Sequence, residues 1–233
     1  MQFFIDSLLS AFLLIKSMDP ELFQVVWTSL QVSLSSTALA SLMGVPLGFL
    51  IASHEFTGKR VVITTLNTLL ALPTVVVGLF VYVFISRQGV FGDLGWLYTK
   101  QAIVVGQTIL IMPLVTVFVV SAVSRIDERY AKTALTLGAD KLQLAKVVLS
   151  EARFAILAAI IAAFGRVIAE IGISMMLGGN IKGFTRTMTT AMALEYDKGE
   201  FALAVALGLV LLAISFGLNV VFNMFQGRSG AIR

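Results

Sequence analysis

The residues best suited to chemistry lie between residues 178 and 190, and the chemistry that they favour is anion binding. This segment combines glycines with hydroxyl side chains and two cations: Gly178, Gly179, Gly183, Thr185, Thr187, Thr189, Thr190, Lys182 and Arg186. Glycines let backbone amides point at a ligand, and hydroxyls and cations donate hydrogen bonds to oxyanions. Composition alone favours an ordinary outer-face loop with a short threonine-rich helix, so both interpretations stay open.

A second polar group lies inside an apolar run. Arg166 and Glu170 are four residues apart, so a helix would place them on one face. Each charge alone would be costly in hydrocarbon, and we therefore expect the two side chains to pair or to face protein or water. A structural ion pair and a residue of an anion pathway or gate are both consistent with this pattern.

The longest charged interruption of the apolar sequence is the stretch 125–153. Its basic residues are Arg125, Arg129, Lys132, Lys141, Lys146 and Arg153. The middle of the stretch, residues 133–139, predicts a helix, a glycine turn and a second helix, with Gly138 in the left-handed conformation. Because positive charge concentrates in cytoplasmic loops, the stretch is predicted to lie in the cytoplasm between two spans.

The composition indicates a polytopic membrane protein. Hydrophobic residues make up 58% of the chain and charged residues 13%, whereas a soluble domain has roughly 45–50% apolar and about a quarter charged residues. The net charge of +4 does not indicate nucleic-acid binding, because the basic residues cluster at the ends of apolar runs. The sequence has no cysteine and one histidine, His54, which excludes disulfides, thiolate metal sites and histidine metal clusters.

The apolar runs predict an all-α integral membrane protein with about five transmembrane helices. Residues 1–18 are predicted to form an interfacial amphipathic helix, because a helix over 3–16 would be about 20 Å long and the hydrocarbon core is roughly 30 Å thick. Residues 19–233 form the transmembrane domain, with spans at about 22–52, 61–86, 101–123, 154–177 and 201–225. The basic residues that fall on the inner side place the N-terminus outside and the C-terminus in the cytoplasm: Lys59, Arg60, those of the stretch 125–153, Arg228 and Arg233.

Three local patterns predict details of these spans. Asp19 and Pro20 are suited to the cap and first position of the first span. Gly44 and Gly48 form a small-xxx-small pair, which predicts close packing of helices. Pro73 predicts a kink in the second span, with the freed carbonyl satisfied by a neighbouring helix.

The stretch around Gly138 resembles the Glu-Ala-Ala loop of ABC importer permeases. Lys132-Thr133-Ala134, Gly138 and Val148 stand at the family's Glu-Ala-Ala, glycine and aliphatic positions, with Lys132 where the family usually has glutamate. Further strings resemble the tungstate branch of the type I importer permeases: residues 165–172, 178–181, 185–191 and 198–202. Molybdate permeases are similar, but usually have proline where this sequence has Lys182.

The resemblance implies a type I importer permease fold and a role for each polar group. The subunit would take part in ATP-driven uptake of an oxyanion, either tungstate or, alternatively, molybdate or another oxyanion. The coupling loop would dock on an ATPase through Lys132, Thr133, Ala134, Leu135, Leu137, Gly138 and Ala139. The substrate pathway or gate would include Arg166, Glu170, Gly178, Gly179, Asn180, Thr185, Arg186, Thr187, Thr189 and Thr190.

The resemblance also implies the partners. Two copies of the subunit would form a homodimer in the lipid bilayer of a prokaryotic inner membrane. Two ATPase subunits would bind the coupling loops, and an extracytoplasmic binding protein would deliver the oxyanion. ATP and Mg would be bound by the ATPase, because this sequence has no Gly-x-x-x-x-Gly-Lys-Ser/Thr phosphate loop. No cofactor, catalytic residue or metal site is expected in the chain itself.

Two other classes of protein compete with the importer subunit. An ATP-independent secondary transporter or channel is the first, and a secondary transporter should carry membrane-embedded acidic residues that bind coupling ions. Only Glu170 meets that requirement, and Arg166 is expected to neutralise it. An intramembrane enzyme is the second, but no Ser/His/Asp or histidine–carboxylate group is visible in the spans. Dependence of transport on an added ATPase would separate the importer from these classes.

Overall fold

The computed structural model describes residues 2–230, with side chains in residues 9–127, 129–130 and 132–223. Within this part of the chain the regular elements are helices: α1 (Gln2–Lys16), α2 (Pro20–Ser53), α3 (Lys59–Leu70), α4 (Thr74–Ile85), a 3₁₀ turn (Gly92–Leu94), α5 (Lys100–Ser124), α6 (Glu128–Thr136), α7 (Lys141–Ile168), α8 (Gly172–Gly178), α9 (Met188–Lys198) and α10 (Phe201–Gly230). Met1 and residues 231–233, which include the predicted cytoplasmic Arg233, lie outside the described residues.

The predicted all-α class with about five spans is confirmed. Helices α2, α5, α7 and α10 are each long and apolar enough to cross a membrane. Helices α3 and α4 together give a fifth candidate span, which is broken in its middle. Asp19 caps α2 by accepting a hydrogen bond from the Leu22 amide at 3.0 Å, and Pro20 is the first helical residue. This confirms the predicted start of the first span.

The break between α3 and α4 is sharper than the kink that the sequence predicts. The two helix axes meet at 100°, and Pro73 is the N-cap residue of α4. Proline has no amide hydrogen and disfavours the α conformation of the residue before it, here Leu72. A single helix therefore ends before Pro73, and a new one begins after it in another direction.

Helix α7 has different bounds from the predicted fourth span, 154–177. It begins directly after Asp140, because Asp140 and Gln143 form a capping box. The Gln143 amide donates to Asp140 Oδ1 at 2.7 Å, and the Asp140 amide donates to Gln143 Oε1 at 2.9 Å. The helix ends at Ile168, and a short break leads into α8. Its first turns thus lie in the segment predicted as a loop.

Helices α2 and α5 approach closely at two glycines of α2. A Cβ atom added at Gly44 would lie 3.0 Å from Cβ of Val115. A Cβ atom at Gly48 would lie 2.7 Å from both the carbonyl oxygen of Thr116 and Cβ of Val119. Because neither glycine has a side chain, α5 lies directly against the backbone of α2 there, and the predicted packing role of the glycine pair is confirmed.

Replacing Gly48 by alanine should destabilise the protein. Extra atoms in a well-packed core typically cost about 1–3 kcal/mol, and the Thr116 carbonyl cannot rotate away as a side chain could. We expect a lower midpoint of thermal unfolding in detergent, followed by circular dichroism. Gly217→Ala in α10 is the matched control, because no atom lies within 4 Å of a Cβ atom added there. A Gly48→Ala midpoint as high as that of the control would contradict the close packing.

Candidate functional site

The turn at Gly138 joins α6 to α7 and has the geometry of a Schellman motif. Gly138 has a φ of +81°, in the left-handed region. Its amide donates to the carbonyl of Leu135 at 3.0 Å, and the Ala139 amide donates to the carbonyl of Ala134 at 3.0 Å. These bonds confirm the predicted helix, glycine turn and helix. They also set the direction in which α7 leaves the turn.

Three leucines around this turn present apolar side chains to the surface. The exposed fractions are 55% for Leu135, 83% for Leu137 and 80% for Leu142. We call these three residues the leucine surface. The remaining predicted docking residues range from exposed to buried: Lys132, Thr133 and Gly138 are exposed, Ala139 is half-buried and Ala134 is buried. Clustered exposed apolar side chains are typical of a surface that binds another protein.

Arg166 and Glu170 form an ion pair, but they do not lie on one continuous helix. Nη1 of Arg166 lies 3.5 Å from Oε2 of Glu170. Arg166 is in the last turn of α7, whereas Glu170 follows the end of that helix. The expected pairing is confirmed, and the expected placement of both residues within one span helix is wrong, because α7 ends at Ile168.

Glu170 is the more enclosed member of the pair and connects three helices. Its side chain is 3% exposed, compared with 45% for Arg166. Oε1 accepts a hydrogen bond at 3.3 Å from the Ile173 amide in the first turn of α8, and the backbone carbonyl accepts one from the Thr189 hydroxyl at 2.8 Å. The guanidinium of Arg166 has five N–H donors, so it keeps hydrogen-bonding capacity for a further ligand.

The segment from the end of α8 to Thr185 contains four of the predicted pathway residues, Gly178, Gly179, Asn180 and Thr185. Gly179 and Asn180 have φ values of +69° and +50°. A Cβ atom at Gly179 would lie 2.7 Å from the ring of Tyr98, so only glycine fits there. The Thr185 hydroxyl donates to the Gly178 carbonyl at 2.6 Å and accepts from the backbone amide of residue 181 at 3.0 Å. The hydroxyl therefore closes the turn.

Thr187 and Thr190 form a capping box at the start of α9. The Thr187 amide donates to the Thr190 hydroxyl at 3.0 Å, and the Thr190 amide donates to the Thr187 hydroxyl at 3.4 Å. Together with the bond from Thr189 to Glu170, these contacts direct all three hydroxyls at protein atoms. The structure brings the predicted threonines together, and their visible contacts are structural.

Replacing Thr187 by alanine should therefore act mainly on stability. Loss of a threonine cap typically costs about 1 kcal/mol, and we expect a lower midpoint of thermal unfolding. Thr187→Ser keeps the hydroxyl and should keep the midpoint. If Thr187→Ala were as stable as the serine variant but had lost anion uptake, the hydroxyl would act on the substrate instead of α9.

The two cations of the segment are paired with carboxylates. Nη1 of Arg186 lies 3.5 Å from Glu21 Oε1 and 3.8 Å from Glu195 Oε1. Nζ of Lys182 lies 2.6 Å from Glu21 Oε2, and Nζ of Lys198 lies 3.0 Å from Glu195 Oε1. Arg186 is buried, and its Nε atom has no hydrogen-bond partner. This network ties the first turn of α2 to α9 and to the loop between α8 and α9.

The partners of these cations, and the buried amide of Gln107, were not predicted from the sequence. Glu21 and Glu195 are distant in sequence from parts of the network, and no local pattern indicates such pairing. Gln107 in α5 accepts from the Ser36 hydroxyl at 3.0 Å and donates to the Ser174 hydroxyl at 3.4 Å. A glutamine within an apolar span was the available signal, because a buried amide needs hydrogen-bond partners.

Helix α7 connects the Gly138 turn to the Arg166–Glu170 pair. The Gly138 turn precedes its first residue, and Arg166 lies in its last turn. At 1.5 Å per residue, the distance along the helix from Lys141 to Arg166 is about 37 Å. A displacement of the turn would thus be carried by one helix to the Arg166–Glu170 pair.

Known proteins are similar to this chain in sequence. Residues 44–229 match the family described as "Binding-protein-dependent transport system inner membrane component". The tungstate uptake system permease protein TupB of Peptoclostridium acidaminophilum is 35% identical over 226 residues, which are 97% of this chain and 99% of that protein. The protein of the same name from Campylobacter jejuni is 38% identical over 226 residues, 97% of this chain and 95% of that protein.

A solved structure agrees with the helix arrangement. The inward-facing MetNI methionine ABC transporter has a TM-score of 0.73, with 91% of this chain and 97% of that chain covered, at 18% identity. This likeness concerns the fold alone. The family match includes the Gly138 turn, the Arg166–Glu170 pair and the segment 178–190. The chain is a multi-pass protein of the inner membrane and belongs to the family of binding-protein-dependent transport system inner membrane components.

Proposed function

We propose that this chain is the transmembrane subunit of an ATP-driven importer that moves an oxyanion, tungstate, into the cytoplasm by alternating access. The observation that carries the proposal is the full-length similarity to two proteins named as tungstate uptake permeases. The family description adds dependence on a binding protein. We infer that an extracytoplasmic binding protein delivers the anion to the outer face of a homodimer.

The motor in this proposal is a separate ATPase, of which two copies bind the homodimer. The Gly138 turn and the leucine surface offer the contact, because a rigid turn with exposed apolar side chains suits docking in a groove of another protein. Lys132, Thr133, Ala134 and Ala139 complete the docking segment. ATP and Mg belong to the ATPase, since the sequence of this chain has no phosphate loop of the Walker type.

The anion pathway in this proposal passes Arg166. Its guanidinium contacts Glu170 through Nη1, and its side chain is half-exposed. Glu170 holds the guanidinium in place, and the turn 178–180 with Thr185, Arg186, Thr187, Thr189 and Thr190 shapes the outer gate. Modest affinity is expected at such a point, because tight binding at one site would slow release of the anion.

We also propose the topology and domain organisation that the charge distribution favours. Residues 1–18 form an interfacial helix, and residues 19–233 form the permease domain with the coupling loop 125–153. The N-terminus lies outside and the C-terminus in the cytoplasm, where the Gly138 turn can reach an ATPase. Accessibility of single cysteines at residues 90 and 137 to a membrane-impermeant reagent would test this orientation.

Uptake into proteoliposomes tests the function. The vesicles would contain this subunit, the ATPase and binding protein encoded beside it, and tungstate, molybdate, sulfate or phosphate outside, with or without internal ATP. We expect ATP-dependent uptake of tungstate, with weaker uptake of molybdate. Preference for another oxyanion would keep the importer and replace the substrate. Uptake that needs neither ATP nor the ATPase would contradict the importer and favour a secondary transporter or channel.

A further inference from the structure

A groove between α2 and α5 lies away from the proposed anion pathway. Its volume is about 630 Å³, and none of the pathway residues named above lines it. The walls are mostly apolar: Val32, Leu34, Leu39, Val104 and Val105. Lys100, Gln31 and Trp96 lie at one end of the groove, which is the end of α5 farthest from the Gly138 turn. The groove is therefore apolar along its length and cationic at one end.

The ammonium of Lys100 is paired with an amide side chain. Its Nζ atom donates to Oε1 of Gln31 at 3.0 Å, and in the part of the chain that the structure describes no carboxylate forms a salt bridge with it. Lys59, Lys182 and Lys198 differ, because each of them lies beside a glutamate. A half-buried ammonium with only an amide partner favours an anionic ligand.

The position of Lys100 along α5 corresponds to the headgroup level of a bilayer. From Lys100 to Ser124 the helix rises about 36 Å, slightly more than a hydrocarbon core of roughly 30 Å. Trp96 is beside Lys100 and partly exposed, and tryptophan is enriched at the membrane–water interface. The apolar walls extend from this level toward the middle of the membrane.

We propose that this groove binds an anionic phospholipid. The phosphate of the headgroup contacts Lys100, and an acyl chain lies between α2 and α5 along Leu34 and Leu39. Exposed Ser35 and Gln101 at the groove can form hydrogen bonds with the glycerol and ester oxygens. A free oxyanion would use the cation but not the apolar walls, so the shape of the groove favours a lipid.

Quenching of Trp96 fluorescence by brominated lipids tests the proposal. The sequence has two tryptophans, so Trp27→Phe leaves Trp96 as the reporter in the full-length chain. The protein would be reconstituted in phosphatidylcholine vesicles that contain dibrominated phosphatidylglycerol or dibrominated phosphatidylcholine. We expect phosphatidylglycerol to associate about fivefold more strongly beside Trp96, the effect of one lysine near a bilayer surface.

Variants of Lys100 test whether its charge causes the preference for phosphatidylglycerol. In Lys100→Gln, the two lipids should associate about equally strongly beside Trp96. Lys100→Arg should keep the preference for phosphatidylglycerol, since arginine, like lysine, has a positive charge that attracts the phosphate. Arg87→Gln removes an exposed cation of the preceding loop that does not line the groove, and should leave the preference unchanged.

Three results would overturn the proposal. The first is equal quenching by both lipids in the protein with Lys100 intact. The second is the absence of quenching by either lipid, which would show that a second copy of the chain covers the groove. The third is an unchanged preference for phosphatidylglycerol in Lys100→Gln, which would show that the ammonium of Lys100 does not bind the headgroup.

Discussion

Replacing Gly138 by valine is expected to uncouple ATP hydrolysis from uptake and to lower uptake roughly tenfold. The residue needs a φ of +81°, and an L-residue in that region costs about 1–2 kcal/mol, with a β-branched side chain at the upper end. Relief of this strain would break the two hydrogen bonds that close the turn. An energy of that size shifts the turn's equilibrium by roughly a factor of ten.

The measurement compares tungstate uptake with ATP hydrolysis in the same proteoliposomes. Gly138→Asn should behave nearly as the original protein, because asparagine tolerates the left-handed conformation. Gly58→Val is the matched control: Gly58 has a φ of +96°, and no atom lies within 4 Å of an added Cβ atom. It introduces the same strain in another turn and should leave uptake coupled to hydrolysis. Full coupled uptake by Gly138→Val would show that the coupling turn lies elsewhere.

Replacing Arg166 by glutamine is expected to lower uptake by roughly 10- to 100-fold, the range that corresponds to loss of one hydrogen bond to a charged group. The change removes the cation that we propose balances the anion, and it leaves Glu170 buried without its ion partner. Both effects act against a negatively charged substrate. The initial rate of uptake at several tungstate concentrations measures the loss.

A double variant separates a functional Arg166 from a structural ion pair. In the double variant Arg166→Gln with Glu170→Gln, neither of these two positions is charged. The amide oxygen introduced at position 170 could still accept the hydrogen bond from the Ile173 amide. If the pair is only structural, the double variant should recover uptake. If Arg166 serves the anion, the double variant stays impaired, and Glu170→Gln alone, which keeps the guanidinium, transports. Recovery in the double variant would therefore remove Arg166 from the pathway.

Helix α7 gives these two predictions a common physical basis. The capping box at Asp140 lets the helix begin directly after the Gly138 turn, and the helix then continues without interruption to Ile168. Movement at one end of such a helix is not absorbed by a loop. An effect of Gly138→Val on the Arg166 region should therefore be measurable as changed accessibility of a cysteine at residue 165.

Features that depend on a few neighbouring residues can be predicted from the sequence. The membrane class follows from composition, and the cap at Asp19 and the packing glycines Gly44 and Gly48 follow from local patterns. The Gly138 turn was predictable for the same reason, because both of its closing hydrogen bonds lie within residues 134–139. Backbone geometry and side-chain type decide such features without reference to the rest of the fold.

Other features depend on contacts between segments that are distant in the sequence, and these are visible only in the folded protein. The sequence indicates that Pro73 interrupts a helix, but the 100° between α3 and α4 is set by the helices that pack around them. The sequence predicts that Arg186 could bind an anion, but in the fold Glu21 and Glu195 lie beside its guanidinium. The end of α7 before Glu170 likewise depends on contacts with Ile173 and Thr189 in other helices. Charges and hydroxyls form bonds with whatever the fold brings near them, and spacing along the chain does not specify those partners.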